Sequence, residues 1–188
     1  MENYNNNKSC RIKVPTFAAA SKVFSGVRFD IHAIELPGKD NHTIKREVVV
    51  HPGAVLILPF LDAQRIIMIR NERFAVDQTL WELPAGTLEP NEPVIHTAAR
   101  ELQEETGYKA ELMQPLFNFY TTPGICNEIM YTFMAKELTY VGQSLDENER
   151  IIVEIVTLEK AYDMIGAGVI LDGKTIAALL FYKNFIGR

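Results

Sequence analysis

Three carboxylates, Glu101, Glu104 and Glu105, stand at i, i+3 and i+4 in residues 86–108. In a helix this spacing puts all three on one face within about a single turn. Like charges so placed repel, and the end of a helix, marked here by Gly107, favours cations rather than acids. Arg100 can pair with Glu104 at i+4, which removes only part of the load. The surplus asks for a cation. Every ligand offered is an oxygen, and no His or Cys shares the face. That selects a hard ion, Mg²⁺ or Mn²⁺, over Zn²⁺. Such an ion keeps positions open for phosphate oxygens and water. A charge run ordinarily means a solvated helix face; the spacing of the whole stretch decides against that here.

Gly86, Glu92, Arg100, Glu101, Leu102, Glu104, Glu105, Gly107 and Tyr108 fall at the intervals G-x5-E-x7-R-E-U-x-E-E-x-G-U, with U a bulky apolar residue. At average residue usage the fixed letters would meet by chance at roughly one in a billion start positions. The stretch resembles the Nudix box. Tyr108 is an aromatic where an aliphatic residue is commoner.

The elements that must carry these acids are legible around them. Ile95, Ala98, Ala99 and Leu102 form an apolar stripe on the adjoining helix face, which predicts packing against a sheet. Residues 54–60 and 65–70 are dense apolar runs that suit central strands. Residues 71–79 read as polar loop, 109–120 as an extended segment broken by Pro115, and 128–135 as a strand. Residues 138–150 read as a polar acidic loop, 151–158 as a strand, and 159–165 as a short helix. Asp172, Gly173, Lys174 and Thr175 signal the start of a last helix, through Phe185. Upstream, residues 21–36 alternate, residues 37–41 are a turn cluster, and residues 42–51 resume extended character. Phe24 and Phe29 read as core or strand packing, with an aromatic face for a base as the alternative. His32, His42, His51 and His96 have no metal spacing among them. Strands broken by two or three helices indicate an α/β class with a mixed sheet.

With 188 residues and 47% apolar content, the chain fits a globular protein with a sizeable core. A net charge of −5 opposes non-specific binding to nucleic-acid polymers. Two cysteines, Cys10 and Cys126, make no disulfide framework, residues 1–10 show no secretory signal, and apolar runs such as AVLILPFL are too short to span a bilayer. A cytoplasmic enzyme with no membrane partner is expected.

The Nudix resemblance implies an α/β/α sandwich over about residues 50–185. Residues 1–16, rich in Asn, read as a flexible N-terminus and 17–50 as an N-terminal antiparallel β unit, to which the resemblance adds dimerisation and substrate binding, with the hydrolase domain at 51–188. The resemblance implies metal-assisted hydrolysis of a pyrophosphate, with metal on Glu101, Glu104, Glu105 and the backbone carbonyl of Ala85. Arg100 and Glu92 would orient the acids. Pro123, sixteen residues after Gly107, and Trp-Glu-Leu-Pro-Ala-Gly at 81–86 look like the ADP-ribose pyrophosphatase branch. That branch implies substrate contacts for Arg46, Glu47, Arg73, Pro123 and Glu128, with Arg73 beside the adenine and Glu128 near the distal ribose. Residues 146–149, Asp-Glu-Asn-Glu, resemble the mobile acidic loop that supplies the general base. Glu147 is the first choice and Glu149 the second, with Glu149 also a candidate metal ligand. The expected substrate is a nucleoside diphosphate sugar, ADP-ribose first, with GDP-mannose or another ADP-sugar as alternatives. A non-catalytic sensor and an enzyme for oxidised nucleoside triphosphates are the competing readings. A homodimer is expected.

Overall fold

The computed structural model describes residues 20–187 apart from Arg28, Gly38, Asp146 and Asn148. The expected flexible terminus, residues 1–16, lies outside them, as do two of the four residues of the acidic loop. The chain divides into two compact units: residues up to His51 with Thr122–Asn127, and Pro52–Thr121 with Glu128–Arg188.

In the first unit, β1 (Ser21–Ser25), β2 (Asp30–Pro37) and β3 (Thr43–Val50) form an antiparallel sheet in that order. The alternating run 21–36 folds as a hairpin of β1 and β2. The Gly26 N–H donates to the Phe29 carbonyl at 3.0 Å, and Lys22 and the Ser25 hydroxyl both hold Asp30 across the turn. Phe24 and Phe29, expected in core or strand packing, are outside any core, 52% and 43% exposed, with ring centroids 6.5 Å apart. Among this unit's described residues only Ala33 is buried, because three strands without a covering layer cannot enclose a core.

The second unit has two sheets. β10 (Ile151–Thr157), β5 (Arg65–Arg73) and β6 (Gln78–Glu82) pair antiparallel. β7 (Ala85–Thr87), β4 (Ala54–Pro59), β9 (Ile129–Tyr140) and β8 (Tyr108–Tyr120) form the mixed sheet, with β4 and β9 parallel. β4 is buried along its whole length. Its alternation sends Val55 and Ile57 to one face, where they meet Ala98 and Leu102 of α1 (Val94–Thr106). Leu56 and Leu58 go to the other, where they meet Ala161 and Met164 of α2 (Leu158–Gly166) and Ala178 and Leu179 of α3 (Gly173–Phe181). Helix, sheet and helix thus form the expected layers. Truncating a fully buried residue such as Leu102 to Ala would cost about 2–5 kcal/mol.

Three boundaries depart from the sequence reading. β8 is not broken at Pro115: it runs through with a bulge between Pro115 and Phe117. β8 is a sheet edge, where a missing N–H costs little. β9 extends to Tyr140, into the expected loop, because β8 offers it a partner as far as Tyr108. β5 likewise reaches Arg73, paired with Gln78 of β6, leaving only residues 74–77 as the turn. No helix among the described residues is long and apolar enough to cross a membrane.

Candidate active site

α1 carries the acids and is set by the residues at its ends. Gly107, at φ 79°, stops the helix, and its N–H donates to the Gln103 carbonyl at 2.8 Å. Near its start, Glu92 accepts from the Thr97 hydroxyl at 2.9 Å and from Arg100. Arg100 is the hub of the cluster. It meets Glu92 at 3.2 Å, Glu101 at 2.9 Å and Glu104 at 2.8 Å.

Glu105 is buried under the mixed sheet, and its carboxylate accepts the Ala85 N–H at 2.8 Å. Burial pushes its carboxyl up to about 8; the Glu101 and Glu149 charges push the same way, and the Ala85 hydrogen bond and Arg73 oppose them. Burial likewise pushes Glu101 up to about 7, against the pull of Arg100 and with the push of Glu104 and Glu149. Glu101 lies over the backbone of Gly86. A buried and a half-buried carboxylate, both shifted upward into the neutral range, are a poor arrangement for the bare protein and a good one for a hard cation. The donors fit Mg²⁺ or Mn²⁺: oxygen only, two of them desolvated, beside the strand that bears the Ala85 carbonyl. Among the described residues no three acids, His or Cys stand ready-grouped around a metal position. Arg100 holds Glu101 and Glu104 instead.

Beside the acids opens a pocket of about 690 Å³. Ala85, Gly86 and Thr87 form the wall next to the carboxylates, Phe119, Tyr120 and Met130 supply apolar surface, and Arg73, Glu128 and Lys174 supply charge. The volume suits a drug-sized or nucleotide-sized ligand. Glu128 is held by the Thr121 hydroxyl at 2.5 Å. Arg73 donates two parallel bonds to Glu82, at 2.7 and 2.6 Å. Glu82, only 1% exposed, also takes Lys174 at 2.5 Å. Burial alone would raise the Glu82 carboxyl, but the two cations hold it below its ordinary value. Asp172 accepts from Lys174 and caps α3 through Thr175, whose hydroxyl in turn accepts the Leu83 N–H at 2.8 Å.

The remaining expected residues are placed as follows. Glu147 is exposed in a turn, whereas Glu149 is close enough for its charge to act on both Glu101 and Glu105. Arg46 and Glu47 are exposed on β3 in the first unit, and the walls of the pocket come from the second. Pro123 is exposed in a loop stitched to β3 through Val49, Ile125 and Asn127. Glu82, Lys174, Asp172 and Thr121 were missed by sequence reasoning. Glu82 lay inside the quoted Trp-Glu-Leu-Pro-Ala-Gly stretch, and Asp172 and Lys174 inside the helix-start signal, so both segments carried a mark but neither showed its partner.

The NUDIX domain family matches residues 50–179, which contain the acids, Gly86 and every wall of this pocket. The chain belongs to the Nudix family. As a Nudix hydrolase it is 39% identical to an ADP-ribose pyrophosphatase of Bacillus subtilis (strain 168) over 167 residues, 88% of this chain and 90% of that protein. It is 38% identical to a methanol dehydrogenase activator of Bacillus methanolicus over 166 residues, 86% of this chain and 89% of that one. A crystal structure described as an ADP compounds hydrolase superposes with a TM-score of 0.78 at 22% identity, covering 89% of this chain and 91% of the other, and so shares the Nudix fold.

Proposed function

We propose that the protein hydrolyses the pyrophosphate of a nucleoside diphosphate sugar, and that ADP-ribose, giving AMP and ribose 5-phosphate, is its preferred substrate. The observation that carries this reading is the packing of Glu105 and Glu101 against Ala85 and Gly86, which line a nucleotide-sized pocket. The identity to the Bacillus subtilis relative supports the choice of sugar nucleotide.

Glu101, Glu104, Glu105 and the Ala85 carbonyl would hold Mg²⁺ or Mn²⁺, which supplies positive charge to the pyrophosphate oxygens and acidifies the attacking water. The protein's own groups do the rest. Glu147 takes the proton of that water as it adds to one phosphorus. The bond from that phosphorus to the bridging oxygen breaks, and the bridging oxygen leaves on the second phosphate. Glu149 adds its charge to the acid cluster. Arg100 and Glu92 hold the acids in place. Arg73 and Glu128 border the nucleotide and the distal ribose, and Arg46, Glu47 and Pro123 are further candidate substrate contacts. The working form is a cytoplasmic homodimer built on β1, β2 and β3, whose Val23, Phe24 and Leu36 are exposed, as is Phe29 in the turn between β1 and β2.

The deciding experiment offers ADP-ribose, other ADP-sugars and GDP-mannose with Mg²⁺ and identifies the products. AMP and ribose 5-phosphate formed with the highest kcat/KM support the reading. GMP as the main product moves the substrate to GDP-mannose, and no cleavage of any sugar nucleotide refutes the proposal.

A further inference from the structure

The C-terminal carbonyls of α1 find their partners in residues 141–144. The Ser144 N–H donates to the Glu104 carbonyl at 3.1 Å, and the Gln143 side-chain amide donates to the Glu105 carbonyl at 2.7 Å. The Val141 and Gly142 N–H groups both reach the Gly107 carbonyl, at 2.7 and 3.2 Å. A helix end leaves its last carbonyls without intrahelical donors, and here a distant segment supplies them. The crossing is close. A Cβ on Gly107 would stand 2.8 Å from the Gln143 nitrogen and 2.7 Å from the Tyr140 ring, so the box glycine leaves room for this segment. Gly142 turns the chain at φ 104°.

Directly beyond Ser144 come Glu147 and Glu149. The far end of the same stretch is fixed at Ile151, which pairs with Asn71 of β5. An extended chain advances at most about 3.6 Å per residue, so the three steps from Ser144 to Glu147 give it a reach of only about 11 Å. On the far side the Arg150 carbonyl also accepts the Glu72 N–H at 3.4 Å, and the near side hangs, through the Ser144 N–H and the Gln143 amide, on the helix that bears Glu101, Glu104 and Glu105.

We infer that Gln143 is a positioning residue, whose amide clamps the root of the acidic loop onto the backbone of Glu105 and so fixes where the loop delivers its carboxylate. The inference rests on the reaction proposed above. A clamp of this kind acts on turnover more than on substrate binding, since the loop acid is needed only when the water attacks.

The test compares Gln143→Met, which keeps size and loses the donor, with Gln143→Lys, which restores a long donor suited to a helix C-terminus. kcat and KM are measured on ADP-ribose with saturating Mg²⁺, together with amide hydrogen exchange on the whole protein. Gln143→Met should lower kcat about 10- to 50-fold with KM within about threefold, and should speed exchange in residues 145–150 about tenfold while α1 is unchanged. Gln143→Lys should return kcat to within about threefold of wild type. Wild-type kcat in Gln143→Met overturns the inference. So does a loss that Gln143→Lys does not recover, or one accompanied by faster exchange throughout α1. If the wild-type protein cleaves no sugar nucleotide, the proposed reaction fails by itself. The exchange of residues 145–150 then decides the clamp, faster supporting it and unchanged refuting it.

Discussion

A Cβ placed on Gly86 would lie 1.8 Å from the carboxyl carbon of Glu101. Glycine at this position is therefore what allows Glu101 to lie against β7. Gly86→Ala should force the carboxylate away, weaken Mg²⁺ binding at least tenfold and lower kcat at least 100-fold, with little change in stability because the displaced atoms are the free end of a flexible side chain. Titration of Mg²⁺ by activity and by calorimetry checks this. Wild-type metal affinity would show that Glu101 does not depend on the missing side chain.

The metal-free protein should lose stability as pH rises from about 5 to about 8. Glu101 and Glu105 titrate near 7 and near 8 in the fold against 4.5 when unfolded. The folded state therefore binds more protons across this window, and the slope of stability with pH is negative. Mg²⁺ needs both carboxylates ionised, so its stabilisation should grow over the same range. Melting temperatures with chelator and with Mg²⁺, from pH 5 to 9, separate the two cases. A chelated protein whose Tm climbs steadily to pH 8 would sink the argument.

Three carboxamide variants separate metal acid from base. Glu105→Gln should cut turnover by several powers of ten, since it removes charge that holds metal. The same change should raise the metal-free Tm above pH 8, where it abolishes a buried charge. Glu147→Gln should leave metal and substrate binding nearly intact and lower kcat by about 10²–10⁴, less so as pH rises. Glu149→Gln should chiefly weaken metal binding, with a smaller effect on kcat. A nearly dead Glu149→Gln beside an active Glu147→Gln exchanges their roles.

Glu82→Ala should be among the most damaging changes outside α1. It strands the Arg73 and Lys174 cations beside a buried cavity. Breaking such a pair costs roughly 3–5 kcal/mol, and the low end applies because Arg73 still reaches solvent. Chemical denaturation measures it. A loss under about 1 kcal/mol would mean that water replaces the carboxylate without penalty.

Light scattering at micromolar concentration should give twice the mass of one chain. Phe24→Lys, on the exposed sheet of the first unit, should shift the protein toward monomer and lower activity. A wild-type protein that is monomeric and fully active rules out the homodimer as the working form.

The sequence alone determined the helix of acids, its stop at Gly107, the buried strand, read as residues 54–60 and found at Ala54–Pro59, and the oxygen-only composition of the acid cluster. Each is a local pattern, fixed by the 3.6-residue and two-residue periods and by residue type. Tertiary structure decided the rest. The Glu105 carboxyl is ordinary in a helix and becomes a proton holder only when buried under β7 beside Glu101. Glu82 meets Lys174 across 92 residues, and Gln143 meets Glu105 across 38, distances at which no periodicity carries information. Pro115 reads as a strand breaker until the fold puts β8 at an edge, where a bulge takes it up and a missing N–H costs little. Spacing states which groups can share a face; desolvation and long-range pairing state what those groups become, and both require the other elements to be in place.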